Sequence, residues 1–272
     1  MKEIIRNGIR GTIFFLFLSA FLYLPADKAM ASEFFKDNEN GVLTVSYNNK
    51  DNAKIKVGVT KGGKSYYYDL KKGKNNIDIP LTMGNGTYSI RIFKNVTGNK
   101  YSVLESQEFE LELQNEDDVY LHPNVIVNYD MDYAAVIKAG QLTKNCKTEE
   151  EKVKAVYNFV VKNFNYDYDK LGDIQSGYIP DIKIVYKNKK GICYDISAVM
   201  ASMLRSQGIR VRLVTGYTPN ISEYHAWNMI YDSKKKKWYT VDATYDIGKR
   251  AGGQKYSMVK KASEYTDIRY RY

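Results

Sequence analysis

GICYDISAVMASMLRSQGIRVRLVTGY, residues 191–217, is the stretch that decides the fold. Ile196, Val199, Met200, Met203 and Leu204 recur at helical spacing, and Gly208 supplies the stop. The apolar period then shortens to that of a strand over Ile209–Tyr217. Two more strands follow at His225–Tyr231 and Trp238–Thr244, joined as a hairpin by the hydrophilic Asp232–Lys237. The spacing therefore predicts one buried helix, opened by a glycine and a cysteine, lying against an antiparallel sheet.

Cys193 opens that helix. Free amides and the dipole at a helix N-terminus favour a thiolate, and a preceding glycine allows a tight backbone turn there. A thiol in this setting can attack an acyl carbon if a base and a group that orients the base lie nearby. The only downstream histidine is His225, read as opening a strand, and Asp242 is read as lying on the next one. If Tyr231 and Trp238 flank the hairpin loop, residues 225 and 242 fall nearly opposite each other, and the carboxylate can hold the imidazole tautomer that faces the thiol. Taken singly, such residues are ordinarily a small core cysteine, a structural histidine and a turn-capping aspartate. Their order and local context together point to a nucleophile, a base and an orienting acid.

The blocks 191–217, HAWN at 225–228 and WYTVDATYD at 238–246, with KNFNYD at 162–167 in a leading helix, resemble the transglutaminase-like superfamily of papain-like cysteine enzymes over about residues 120–250. That family has Gly-x-Cys opening a helix that ends in a Gly-Ile strand entry, then a His-x-Trp strand, then a Trp-(Tyr/x)…Asp-x-Thr strand. Ala243 stands where many members carry Pro. The resemblance implies an α+β fold with a helix-borne Cys packed on an antiparallel sheet, and it makes Cys193, His225 and Asp242 the catalytic residues. The backbone N–H of Cys193 is one candidate oxyanion donor. An upstream second donor is open, with Tyr186 as a guess. Trp227 and Tyr194 are candidate cleft residues, although plain core packing explains Trp227 equally well. Solvation at the helix start suffices to explain Asp195.

Upstream the pattern changes. From Val42 to Leu113 short alternating runs follow one another: Val42–Tyr47, Lys54–Val59, Ser65–Leu70, Asn76–Leu81, Thr87–Asn95, Tyr101–Glu105 and Gln107–Leu113. Glycine and asparagine separate many of them. This period of two with regular turns predicts a small all-β sandwich of immunoglobulin-like or fibronectin-like type. Ile55, Val57 and Val59 would face inward, with Lys54 and Lys56 outward. Asn115-Glu116-Asp117-Asp118 marks the boundary. Beyond it Thr148-x-x-Glu151 forms a capping box ahead of a stripe of Val153, Val156, Tyr157, Val160, Val161 and Phe164. Residues 165–190 read as a long polar connection.

At the N-terminus Lys2, Arg6 and Arg10 precede the apolar run Gly11–Leu24 and the small-x-small pattern Ala29-Met30-Ala31. This is a secretory signal, cut after about Ala31, with an uncleaved anchor as the alternative. The expected division is a signal peptide at 1–31, a β-sandwich at 32–117 and the transglutaminase-like domain at 118–272. The chain is 272 residues with a net charge of +10. That excess is diffuse and carries no nucleic-acid motif, so no nucleic-acid partner is expected, while attraction to anionic wall polymers stays open. No membrane span is expected after signal cleavage. Two Cys and two His exclude a disulfide scaffold and restrict metal binding. Cys146 lies in a polar loop as a bystander thiol. Zinc on Cys193, His225 and Asp242 would need a fourth ligand or water, and no cofactor or metal is expected. Three Asn-x-Ser/Thr matches, at Asn85, Asn95 and Asn220, carry no weight.

The expected function is an exported thiol enzyme that acts on peptide or side-chain amides through an acyl-enzyme, most readily a protease or amidase of surface or cell-wall peptides. A transglutaminase with an amine acceptor and a non-catalytic surface-binding module are the alternatives.

Overall fold

The computed structural model describes residues 35–37, 39–50 and 53–272. The signal-peptide reading falls on residues outside these.

Seven strands come first: β1 (Phe35–Asp37), β2 (Val42–Asn49), β3 (Ile55–Lys61), β4 (Lys64–Leu70), β5 (Gly73–Pro80), β6 (Gly86–Thr97) and β7 (Lys100–Leu111). They form two antiparallel sheets, β1-β2-β5 and β4-β3-β6-β7. Alternation decides which side chains enter the core. Leu43, Val45 and Ile79 of the first sheet and Val57, Val59, Ile90 and Ile92 of the second are all buried in one cluster. Each contributes roughly 1.5–3 kcal/mol relative to an exposed side chain. Ile55, Val57 and Val59 face inward as their spacing predicts. One expectation fails. Tyr101–Glu105 and Gln107–Leu113 are not two strands but the single β7, pairing along β6 with a register shift between Ile92 and Phe93. A bulge keeps the ladder continuous where the sequence pattern breaks.

A 3-10 turn at Glu116–Leu121 leads to helices α1 (Ala134–Thr143) and α2 (Glu149–Asn163). Both halves of the Thr148–Glu151 capping box form: the Glu151 amide donates to Thr148 Oγ1 at 3.2 Å and the Thr148 amide to Glu151 Oε2 at 3.3 Å. The connection over 165–190 is more ordered than its polarity suggests. It holds β8 (Asn165–Tyr166), α3 (Tyr168–Leu171) and α4 (Ile182–Asn188), and leads into β9 (Lys190–Gly191), which pairs parallel with β8.

Helix α5 (Cys193–Arg205) is the centre of this half. Ile196, Val199, Met200, Met203 and Leu204 are all wholly buried. It packs on a sheet of order β12-β11-β10-β13, made of β10 (Val211–Thr218), β11 (Ile221–Asp232), β12 (Lys237–Val241) and β13 (Asp267–Arg271). Two polar pins fix helix to sheet: Ser197 Oγ donates to the Ala226 carbonyl at 3.2 Å, and Asn228 Nδ2 to the Ser197 carbonyl at 3.1 Å. At the far end the buried Arg205 guanidinium donates to the carbonyls of Val211, His122 and Tyr272. Burial lowers its pKa to about 10, so it stays charged at neutral pH. One correction concerns the last predicted strand. β12 stops at Val241, and helix α6 (Ala243–Ala251) begins where Trp238–Thr244 was expected to continue as strand.

Candidate active site

Cys193 is the first residue of α5, and its backbone N–H is among the four that a helix leaves without an internal partner. What fixes the helix start is Asp195. This carboxylate is 0% exposed, not solvated as its position two residues into a helix suggests. It accepts from the Ile192 amide at 3.0 Å, from Lys170 Nζ at 2.6 Å and from the Tyr178 hydroxyl. A wholly buried carboxylate requires such partners. The network ties the 167–178 segment to the turn that presents the thiol. Gly191 belongs to the same packing. A Cβ there would lie 2.7 Å from Asp195 Cβ and 3.2 Å from Val185 Cγ1, so close packing on Asp195 explains this glycine.

His225 sits within β11 rather than at its start, opposite Gly216 of β10. Its Nε2 lies 2.9 Å from Asp242 Oδ2. Asp242 is not on a strand. It is the N-cap of α6, with Oδ1 accepting from the Tyr245 amide at 2.9 Å. The hairpin register pairs Tyr231 with Trp238, as expected, and places Asp242 just past the last ladder pair, Asn228–Val241. One carboxylate oxygen caps the helix while the other meets the imidazole. The Tyr265 hydroxyl donates to that same Oδ2 at 2.9 Å. Burial disfavours the imidazolium, but the Asp242 charge and hydrogen bonds to Asp242 and Cys193 outweigh it and hold His225 up at about 10. With Nε2 engaged by the carboxylate, Nδ1 is the nitrogen left to face the sulfur.

Cys193 and His225 both line a cavity of about 460 Å3. Leu171, Ile174, Tyr194 and Tyr224 also contribute, so Tyr194 is a cleft residue. Trp227 is not. It is fully buried behind the imidazole, ring centroids 6.2 Å apart and planes 24° apart, and lines no part of that cavity. A second cavity of about 390 Å3 meets the other side of His225 and is lined by Tyr166, Glu223, Thr244 and Lys249 among others.

Tyr166 is the residue that sequence reasoning missed. The parallel pairing of Tyr166 with Gly191 places this residue beside Cys193, and Tyr166 shares the second cavity with His225. Burial and the neighbouring thiol push its pKa up, so the phenol keeps its proton. Tyr186 is elsewhere, stacked on Phe159 with Lys189 over its ring. The KNFNYD block contained the signal, but only its pairing with β9 singles out the tyrosine. Cys146 and Cys193 are both free thiols. Among the described residues no group of three or more His, Cys, Asp or Glu is arranged to hold a metal ion.

A helix-borne thiol, an imidazole and a buried carboxylate arranged in this order are the groups that acyl transfer through a thioester requires. Residues 138–243 match the family model described as the transglutaminase-like superfamily, and this segment, which holds all three groups, belongs to that superfamily of cysteine enzymes. No curated protein matches the chain. Among solved structures the chain is similar to a candidate cysteine protease from Cytophaga hutchinsonii, at 14% identity, covering 75% of this chain and 72% of that one with a TM-score of 0.43. It is also similar to the periplasmic domain of TgpA from Pseudomonas aeruginosa, at 13% identity over 77% of this chain and 71% of that one, TM-score 0.38. Red sea bream transglutaminase is a third, at 12% identity over 75% of this chain and 48% of that one, TM-score 0.32.

Proposed function

We propose that the chain is an exported thiol hydrolase that cleaves peptide or side-chain amides, with surface or cell-wall peptides as its substrates. The observation that carries this reading is the buried 2.9 Å contact between His225 and Asp242, made by an imidazole that lines the same cavity as the helix-borne Cys193 thiol.

The steps follow from the groups present. The Cys193 sulfur adds to the scissile carbonyl carbon. The Cys193 N–H and the nearby Tyr166 hydroxyl, which keeps its proton, are the two donors for the developing oxyanion. His225, held as imidazolium at neutral pH, delivers its proton to the leaving amine, and a thioester remains. The neutral imidazole then takes a proton from water, which attacks the thioester and releases the acid. Asp242 anchors Nε2 throughout, and its own position is fixed by the Tyr265 hydroxyl and the α6 cap. The second cavity beside His225 gives the leaving amine and the incoming water a route to the imidazole. Export rests on the basic, apolar and small-x-small pattern of residues 1–31.

The test is incubation with a peptide mixture, with and without a primary-amine probe, followed by mass measurement of products. Hydrolysed peptides in the absence of amine are expected. Products that form only with amine would make the protein a transferase. No product from any amide, with Cys193 free and folded, would favour the binding module.

A further inference from the structure

Away from the thiol, a cavity of about 450 Å3 is lined by Lys61, Lys64, Arg212, Arg271, Glu116 and Tyr120, with small loop residues completing it. Among the described residues Lys61, Lys64 and Arg271 form no ion pair. Lys61 Nζ donates to the Met83 carbonyl at 2.9 Å, and Lys64 Nζ lies 5.1 Å over the Tyr66 ring. Arg212 pairs with Asp117 at 2.6 Å and stacks over Trp238 at 3.8 Å. The Nε atoms of Arg212 and Arg271 are buried with no hydrogen-bond partner. Buried donors without acceptors are costly and uncommon.

The local backbone concentrates this charge. Lys61 and Lys64 sit directly opposite each other across the end of the β3–β4 ladder, joined by Gly62 and Gly63 at φ +56° and +78°. The two-residue turn with positive φ at both positions sets them side by side, and like charges directly opposite destabilise a hairpin. Arg271 is held from β13: Thr82 Oγ1 donates to its carbonyl at 2.8 Å, and its amide donates to the Tyr66 hydroxyl at 3.4 Å. Strand alternation sends Arg271 to this cavity, while Tyr270 and Tyr272 line the cavity of Cys193.

We propose that this basic cavity binds a phosphate-bearing ligand. Its four cations face only Glu116 and the Asp117 paired with Arg212, leaving an excess of two positive charges. A free phosphate carries about −1.5 to −2 at neutral pH and each linked phosphodiester a single negative charge, and both accept readily from guanidinium forks, so either matches the sign of the excess charge and the donors. The phosphate comes either as the free ion or from a polymer of phosphodiesters, and the cavity has room beyond a single phosphate for a linked residue.

The test is calorimetric titration of the purified chain with inorganic phosphate and, separately, with a glycerol phosphate trimer. Chloride at matched ionic strength and citrate are the controls. Saturable binding of one phosphate ligand per chain is expected, tighter than citrate. The double variant Lys61→Gln/Lys64→Gln and the single variant Arg271→Gln should each weaken it at least tenfold. Tighter binding of the trimer identifies the polymer as the source, and tighter binding of inorganic phosphate identifies the free ion. The Cys193 alkylation rate should be unchanged in the lysine double variant, which alters only side chains flanking a surface turn. If Arg271→Gln does not fold, the double variant decides alone. No saturation above the chloride control, citrate binding tighter than both phosphates, or wild-type affinity in the folded double variant would overturn the proposal.

Discussion

Replacing Asp195 with alanine removes the group on which the nucleophile's turn is built. Three interactions go at once: the Lys170 ion pair at 2.6 Å, the Tyr178 hydroxyl and the Ile192 amide at 3.0 Å. Breaking a buried pair by removing one partner costs about 3–5 kcal/mol when the other is left dry. The Lys170 side chain is 29% exposed and can recover part of its hydration, so the lower end, about 3 kcal/mol, is expected. For a unit of this size that corresponds to a fall in melting temperature of about 6–12 °C. The consequence for the cleft is more specific. Lys170 and Tyr178 flank Leu171, Ile174 and Gln175 in the wall of the Cys193 cavity, so releasing them should raise KM more than it lowers kcat. Asp195→Asn keeps an acceptor for the Ile192 amide and should recover part of the stability while leaving KM high. Thermal unfolding followed by circular dichroism, together with steady-state kinetics on a cleaved peptide, reads both. A loss below about 1 kcal/mol with unchanged KM would refute the organising role of Asp195, because three donors that lose their buried acceptor together cannot be that inexpensive.

Other outcomes follow from the same geometry. Asp242→Asn should keep the fold, since an amide oxygen can still cap α6, but lower turnover on the order of a hundredfold or more as the imidazole loses its anchoring charge, measured as kcat on the same peptide. Because His225 is held at about 10 when folded against about 6.5 unfolded, its contribution to stability is complete below pH 6.5 and is lost as pH rises through 10; urea unfolding of wild type and His225→Ala across this range should converge at the alkaline end. Arg205→Ala should destabilise by about 3 kcal/mol, since it leaves the buried carbonyls that the guanidinium serves without a donor, and urea midpoints measure this. Limited proteolysis tests the proposed division near 114–120: stable fragments on either side support two folding units, and protection of that segment by Arg210–Asp118 and Arg212–Asp117 pairing would argue for one.

The parts of this site that were legible in the sequence are those carried by local pattern. The α5 stripe, the Thr148 capping box and the strand alternation of 42–113 each follow from spacing within a few residues. The Cys193, His225 and Asp242 order was legible because a hairpin register links two of them. The helix that Asp242 caps was not. ATYDIGKRA has no long apolar stripe, and its buried face includes Thr244 and Asp246, the latter held by Lys260 and the Tyr157 hydroxyl from distant segments. Asp195 and Tyr166 were hidden for the same reason. Apart from the Ile192 amide on Asp195, their partners lie 17 or more residues away, next to two-residue strands too short to leave a periodic signal.

Competitive alkylation tests, without knowledge of the substrate, whether Cys193 is a nucleophile activated by His225. A limiting alkylating reagent is added to the folded chain at mildly acidic pH, and labelled peptides are mapped by mass. Cys146 is the more exposed thiol, so simple accessibility would favour it over Cys193, which is 6% exposed. The reverse is expected: preferential labelling of Cys193, largely lost in His225→Ala because the partner imidazole is gone. Relabelling after unfolding accounts for any thiol already oxidised. Labelling that follows exposure alone, unchanged by His225→Ala, would contradict that activation.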